Sequence, residues 1–312
     1  MISFTPYSPE WEQRWNLFVS SARNATFLFN RSYMDYHSDR FSDASLIATE
    51  NGKIKALLPA NRRGDTLHSH QGLTYGGWIL PERHFDACQL LALWDRWLEY
   101  SRAAGLKEIL YKPLPAIYHR LPSQADEYAL FRCGASIEEV SMSSTIDMAC
   151  NAGFNNMMKR QLKKAAAEGA EIVETTDIDS FVGMLSGCLL ERHNTTPVHS
   201  AGELRLLQQR FPDSIRIFTV ISDSKMHAGV CIYDTGTVAH AQYIASTPEG
   251  RERHFLPLLF DHLINKVFSS RRWFDFGISC ENGGQILNEG LLRQKTAFGG
   301  EPTLYRRYRI TL

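Results

Sequence analysis

The chain has 312 residues, 34 basic and 34 acidic side chains, a formal net charge of +0 and a hydrophobic share of 44%. Balanced charge without low-complexity tracts excludes a disordered chain and disfavours a strongly basic nucleic-acid binder. No apolar run approaches the roughly 20 residues of a membrane span, and the length predicts two domains. The start, Met1-Ile2-Ser3-Phe4-Thr5, lacks a signal-peptide pattern. Six cysteines, at 88, 133, 150, 188, 231 and 280, form no Cys-x-x-Cys and no zinc spacing. Scattered reduced thiols of this kind predict a cytoplasmic protein.

Residues 2–7 predict a strand, and Pro9 opens a helix that runs to Ala22. Residues 31–37 predict a helix mixing Arg31, Tyr33, Asp35, Tyr36 and His37. It reads either as a half-exposed helix or as a polar pocket rim with Tyr33 and Tyr36 as substrate contacts. Asn51-Gly52 between two apolar runs, 44–49 and 53–59, predicts a hairpin with a type I′ turn. Residues 66–75 predict a strand, with His68 and His70 on one face. The pair has no evident third ligand, so no metal is assigned. Gly72, Gly76 and Gly77 predict backbone that must approach something closely, and His70 and Tyr75 join the candidate substrate contacts. Residues 85–104 predict a long helix with Leu90, Leu91, Trp94, Trp97 and Leu98 on its core face. A strand at 107–111, short helices at 115–121 and 126–133, and a strand at 140–148 complete the first half.

The second half opens on the most basic helix, 155–169, with Lys159, Arg160, Lys163 and Lys164 and Gly169 as its stop. Two readings stand for it: a solvated face, or an anion-contacting helix with Lys159 and Arg160 among the substrate contacts. A strand at 170–175 and helices at 179–193 and 203–211 follow. Strands are then predicted at 214–222, 225–234 and 237–246. The charged turn 248–254 leads into a helix at 255–269. Trp273–Ile278 is short, aromatic and β-branched, so it predicts a buried strand. Gly283-Gly284 predict a turn, and 285–297 a helix with Lys295 in its last turn. Phe298-Gly299-Gly300 offers a left-handed cap. Tyr305 and Tyr308 fall in a final strand and read as structural.

The halves echo each other. Each has a hairpin, a polar strand, a turn opening on Pro-Glu, a long helix and a further strand, roughly 165 to 170 residues apart. Three features then carry a family resemblance: this repeat; the segment Lys159-Arg160-x-x-Lys163-Lys164-Ala165-x-x-x-Gly169 before a strand; and Phe274-Asp275-Phe276-Gly277 followed by Lys295-x-x-Phe298-Gly299. Together they resemble the FemAB-like branch of the GNAT superfamily of acyltransferases. The resemblance implies an α/β (mixed α+β) fold, a tandem duplication of two GNAT-like domains, each a central mixed sheet flanked by helices. Residues 1–148 would form the acceptor side and 149–312 the donor and transfer side.

The implied activity is transfer of an acyl group from a thioester donor such as acyl-CoA to an amine of a small-molecule, nucleotide-linked or cell-envelope precursor. The alternatives are a tRNA-dependent aminoacyl transferase, which the zero net charge disfavours, and a catalytically silent binding protein. Gly250, Arg251, Arg253 and His254 are the candidate donor-binding residues, although the turn lacks the glycines that usually admit a pyrophosphate. Asp275 reads as base or acceptor anchor, or else as a hydrogen-bond partner of a neighbouring turn. Lys295 reads as a stabiliser of negative charge, or else as a cation complementing the helix dipole. Tyr243 and His240, on one strand, are candidate proton donors or relays.

Overall fold

The computed structural model describes residues 2–312, apart from the side chains of Arg192 and His193. The chain divides into two compact units, one running to Ser141 and including Leu304–Leu312, the other Met142–Thr303. Against the expected single junction at 148/149, the closing residues return to the first unit. They do so because Tyr308 to Thr311 pair antiparallel with Tyr111 to Glu108.

In the first unit, β1 (Ser3–Pro6), β2 (Leu46–Glu50) and β3 (Lys53–Leu58) form one antiparallel sheet. Helices α1 (Glu12–Ser21) and α2 (Arg31–Met34) lie between β1 and β2 in the chain. A second sheet runs β4 (Asn61–Arg63), β5 (Thr66–His68), β6 (Glu108–Tyr111) and the chain's last strand, Glu301–Thr311. β5 and β6 are parallel, and α3 (Ala87–Ala103) makes the crossover between them. Helix α4 (Ala125–Arg132) follows, and β7 (Ser136–Asp147) leads out of the unit. The core is aromatic: Trp94 meets Trp97 edge-on at 5.1 Å, and Trp97 meets Trp78 at 5.5 Å.

The strand expected at 66–75 is broken. Only 66–68 pair with β6, while Ile79 bridges to Leu57 of β3. Between them the backbone doubles back so tightly that a Cβ on Gly76 would sit 1.6 Å from the Ser69 carbonyl oxygen. A Cβ on Gly72 would meet His37 Nε2 at 2.3 Å. The three glycines therefore permit a fold-back that alternation alone did not reveal.

In the second unit α5 (Asn156–Ala166), β8 (Glu171–Thr175), α6 (Ile178–His193) and α7 (Ala201–Arg210) lead to three long strands. These are β9 (Ile215–Ser222), β10 (Lys225–Asp234) and β11 (Val238–Ser246). Helices α8 (Pro248–Glu252) and α9 (Phe255–His262) cross over to β12 (Trp273–Ile278), which is parallel to β11. The sheet order is β7-β12-β11-β10-β9-β8. Phe255, Leu259, Phe260 and Leu263 pack on one face against Val230, Ile232, Ala239 and Phe274. Gly229 turns the opposite face to Phe181 of α6.

Two expected helices are corrected. The one at 255–269 ends as α9 at His262 and continues as a π-turn, Leu263–Val267. The one at 285–297 starts only at α10 (Glu289–Ala297). Its first residues instead form β14 (Ile286–Leu287), which pairs with β13 (Cys280–Glu281) around Gly283-Gly284. The side chain of Asn288 caps α10 at Leu291 N, and that cap sets where the helix begins. The chain closes on β15, the Glu301–Thr311 strand already described.

Each unit thus contains a parallel pair with a helical crossover. Each crossover helix is entered through Arg-His-Phe, and His84 and His254 share the same left-handed φ of 59°. Replacing Gly76 by Ala should cost about 3 kcal/mol or more, because backbone rather than a mobile side chain fills the space. The urea midpoint checks this; an unchanged midpoint would mean that the fold-back relaxes freely.

Candidate active site

β11 and β12 pair only from Val238 to His240 against Trp273 to Asp275, and the recorded pairing stops there. His240 and Tyr243, three residues apart, would face opposite sides of a regular strand. A bulge intervenes. Ile232 faces Ala241 while Cys231 faces Tyr243, leaving Gln242 as the extra residue. His240 and Tyr243 therefore project from the same face.

Asp275 is fully buried. It accepts hydrogen bonds from Ser143 Oγ (2.5 Å), Thr145 Oγ1 (3.0 Å) and Gly277 N (3.3 Å), and it meets His240 Nδ1 at 2.7 Å. A carboxylate at Nδ1 fixes the proton on that nitrogen and leaves Nε2 as the basic one. Asp275 therefore orients His240. Tyr243 Oη lies 2.5 Å from Nδ1 of His199, a buried residue, and accepts the His199 backbone N–H at 3.3 Å. His199 thereby joins the candidate site residues, and the sequence reading missed it. It sits 44 positions from Tyr243 in a loop with no motif around it.

Lys295, on α10, is buried and donates through Nζ to the carbonyls of Gly277 (2.8 Å) and Ile278 (2.7 Å). These carbonyls lie at a bulge in β12, whose register with β7 shifts between Asp275 and Ile278. Burial pulls the ammonium down to about 8, against the opposing pull of Asp275 and Cys280. The lysine thus fixes the end of β12 two residues beyond Asp275.

A cleft of about 460 Å³ opens beside α9. Met157, Met158 and Gln161 of α5 form one wall, and Gly290, Arg293 and Gln294 of α10 another. Gly250, Arg251, His254, Leu256 and Pro257 complete it with Phe298. Gly250 is required there, since a Cβ would lie 2.2 Å from the His227 carbonyl oxygen. Arg251 reaches Ser246 O at 2.8 Å and Glu191 at 3.5 Å. No side chain caps α9, and Pro257 brings no N–H, so the amides of Phe255 and Leu256 are those its first turn offers to an anion.

The corresponding start of α3 differs. Asp86 and Gln89 form a capping box there, which places a carboxylate on the helix N-terminus. The cleft beside it, of about 480 Å³, also holds Arg23, whose guanidinium donates to the carbonyls of Pro81 and Phe85.

The remaining candidates separate. Arg253 is not among the cleft-lining residues. Its guanidinium meets Glu168, Asp223 and Glu249 at 3.0 to 3.2 Å and stacks over Phe255. The same guanidinium occupies the neighbourhood of Asp223, His227 and Glu249, whose ligand atoms cluster within 4.8 Å. Asp275 and Lys295 do not line the cleft either. Lys159 and Arg160 are exposed on α5. Tyr33, His70 and Tyr75 are buried rather than forming a rim. Tyr75 Oη donates to Thr26 Oγ1, and burial pushes His70 down to about 3. Tyr36, half-buried, stacks on His37 at 4.3 Å.

Residues 152–283 match the acetyltransferase (GNAT) domain family. No curated protein sequence matches the chain significantly. The fold is similar to the crystal structure of FemX, with a TM-score of 0.70 at 12% identity over 99% of this chain and 97% of that one. It is similar to L-PGS from Bacillus licheniformis, with a TM-score of 0.62 at 12% identity over 98% and 92%. A tandem GNAT protein from the clavulanic acid biosynthesis pathway gives 0.51 at 13% identity over 100% and 98%. The matched domain and the fold define an acyltransferase with a GNAT-superfamily fold. Within it, the chain has the FemAB-like architecture. Among the described residues no helix is long and apolar enough to cross a membrane.

Two lysines should titrate far below the roughly 10.4 of an ordinary lysine. Lys295 and Lys112 are each drawn to about 8 by burial. Carbon-13 NMR of labelled lysine side chains should show two such midpoints, one lost in Lys295→Met and the other in Lys112→Met. Midpoints above 10 for both would show that water reaches these ammonium groups.

Proposed function

We propose that the protein transfers an acyl group from acyl-CoA to an amine, with the donor in the α9 cleft and the chemistry at His240. The observation that carries this reading is the parting of β11 and β12 at the His240–Asp275 pair, inside the segment that matches a GNAT acetyltransferase domain. The uncapped start of α9, with Arg251 and Arg293 in the same cleft, suits the phosphates of the donor. Met157, Met158, Leu256 and Phe298 suit its apolar stretch. The capping box on α3 argues that the first unit serves the acceptor instead.

In this mechanism His240 Nε2 takes the proton of the attacking amine, and Asp275 stabilises the imidazolium that results. The amine nitrogen bonds to the acyl carbon as the carbon–sulfur bond breaks. Tyr243 gives its phenolic proton to the departing thiolate and recovers one through His199. Lys295 holds the end of β12 in place and adds positive charge near the reacting carbonyl. The acceptor is the amine of a small-molecule, nucleotide-linked or cell-envelope precursor.

Aminoacyl-tRNA is the second donor reading. The exposed cations of α5 and the FemX-like fold favour it. Calorimetric titration with CoA, acetyl-CoA and tRNA separates the two. Arg251→Ala should weaken CoA binding about tenfold. His240→Ala should lower turnover of acetyl-CoA with an amine panel by about 10²- to 10⁴-fold with KM little changed. Wild-type turnover in His240→Ala would remove the histidine from the chemistry, and tRNA binding without CoA binding would move the donor to the second reading.

A further inference from the structure

The turn between β9 and β10 is tight. Ser222 pairs with Lys225, and Asp223 and Ser224 between them take left-handed φ values of 51° and 59°. Just after it β10 bulges: Met226 faces Ile221 while Ala228 faces Val220, which leaves His227 as the extra residue. A bulge re-aims a side chain, and the ring it re-aims here is buried, at 3% exposure. His227 Nε2 lies 3.2 Å from the Ser222 carbonyl oxygen. A carbonyl oxygen only accepts, so Nε2 carries the proton and Nδ1 presents a lone pair. Among the described residues Nδ1 makes no hydrogen bond. It faces Glu249 Oε2 at 3.7 Å, which is itself an acceptor and too far for a hydrogen bond. Two acceptors aimed at each other call for a cation between them.

Arg253 supplies part of that cation. Its guanidinium donates to Asp223 Oδ2 at 3.1 Å and to Glu249 Oε1 at 3.2 Å. It takes only one oxygen from each carboxylate, and among the described residues Asp223 Oδ1 and Glu249 Oε2 receive no hydrogen bond. Glu168 is its third carboxylate, at 3.0 Å. Three carboxylates against one guanidinium leave two negative charges uncompensated, and no other lysine or arginine pairs with them among the described residues.

His227 Nδ1 and one oxygen each from Asp223 and Glu249 lie within 4.8 Å of one another. Ligand atoms around a tetrahedral Zn2+ stand roughly 3.4 Å apart. The Asp223 and Glu249 side chains, 75% and 54% exposed, can close that gap by rotation. The donor set also selects the ion. Mg2+ and Ca2+ take oxygen ligands, whereas an imidazole nitrogen with two carboxylates suits Zn2+ and its first-row neighbours. A metal-bound histidine keeps its other N–H on a carbonyl or carboxylate, as His227 Nε2 does on Ser222. We propose that His227, Asp223 and Glu249 bind a divalent transition-metal ion of the Zn2+ class, with Arg253 retained beside it. The ion ties the β9–β10 turn to α8, the segment that carries Gly250 and Arg251 into the wall of the α9 cleft. The site does not depend on the acyltransfer reading.

The test is calorimetric titration of the chelator-stripped full chain with ZnCl2. The chain should bind one Zn2+ at this site and melt at a higher temperature when loaded. Asp223→Asn and Glu249→Gln should each weaken binding by about tenfold or more. Both side chains are exposed, both replacements can still accept from Arg253, and asparagine suits the left-handed backbone at 223. Melting in the presence of chelator, unchanged from the parent, shows that each variant is folded. Co2+ in place of Zn2+ reports the ligand type, and its spectrum should lack the thiolate absorption that any of the six free cysteines would give. The proposal fails if the stripped chain takes up no Zn2+, which would leave His227 as an imidazolium paired with Glu249. It also fails if both variants bind like the parent, or if the Co2+ spectrum shows thiolate ligation.

Discussion

A carboxyl group sealed from water must find hydrogen-bond donors within the fold. Asp275 finds them on three neighbouring strands: Ser143 and Thr145 on β7, Gly277 on its own β12, and His240 on β11. The aspartate therefore fixes the spacing of those strands where β11 and β12 separate, and it fixes the imidazole ring at the same point. Lys295 closes the arrangement from α10 by holding the Gly277 and Ile278 carbonyls at the β12 bulge. Losing the aspartate would leave several buried donors unpaired at once, which costs more than the loss of one contact.

The two units use the same crossover for different ends. Both place a histidine in the left-handed region just before the crossover helix. In the first unit Asp86 then supplies the helix N-terminus with its own carboxylate. In the second no side chain does so, and two arginines face the opening instead. A helix end can be satisfied by the protein or by a ligand, and the two halves divide these choices. The first unit has also given up a continuous strand after its hairpin, through the fold-back at Ser69 and Gly76.

Arginine content alone is a poor guide to an anion site. Arg251 and Arg253 are two residues apart and looked equivalent in sequence. Arg253 is neutralised by three carboxylates and packs on Phe255, while Arg251 lines the cleft. The carboxylates that occupy Arg253 come from α8, the β9–β10 turn and the residues after α5, and no local pattern announces such a convergence.

The sequence by itself determined the alternation of hairpin, strand, helix and strand in each half, the aromatic core face of α3, the buried β12 and the repeat. These rest on hydrophobic periodicity and turn chemistry, which act over a few residues and are written locally. The Asp-Phe-Gly and Lys-x-x-Phe-Gly segments made Asp275 and Lys295 candidate site residues. Only the tertiary structure decided that Asp275 is sealed behind His240, that a bulge at Gln242 turns His240 and Tyr243 to one face, and that His199 meets Tyr243. It also decided that Ile286–Leu287 forms a hairpin edge instead of a helix. Each of these depends on which strand lies beside which, and on one-residue shifts of register. Such shifts reverse the facing of side chains without changing the local pattern from which a sequence is read.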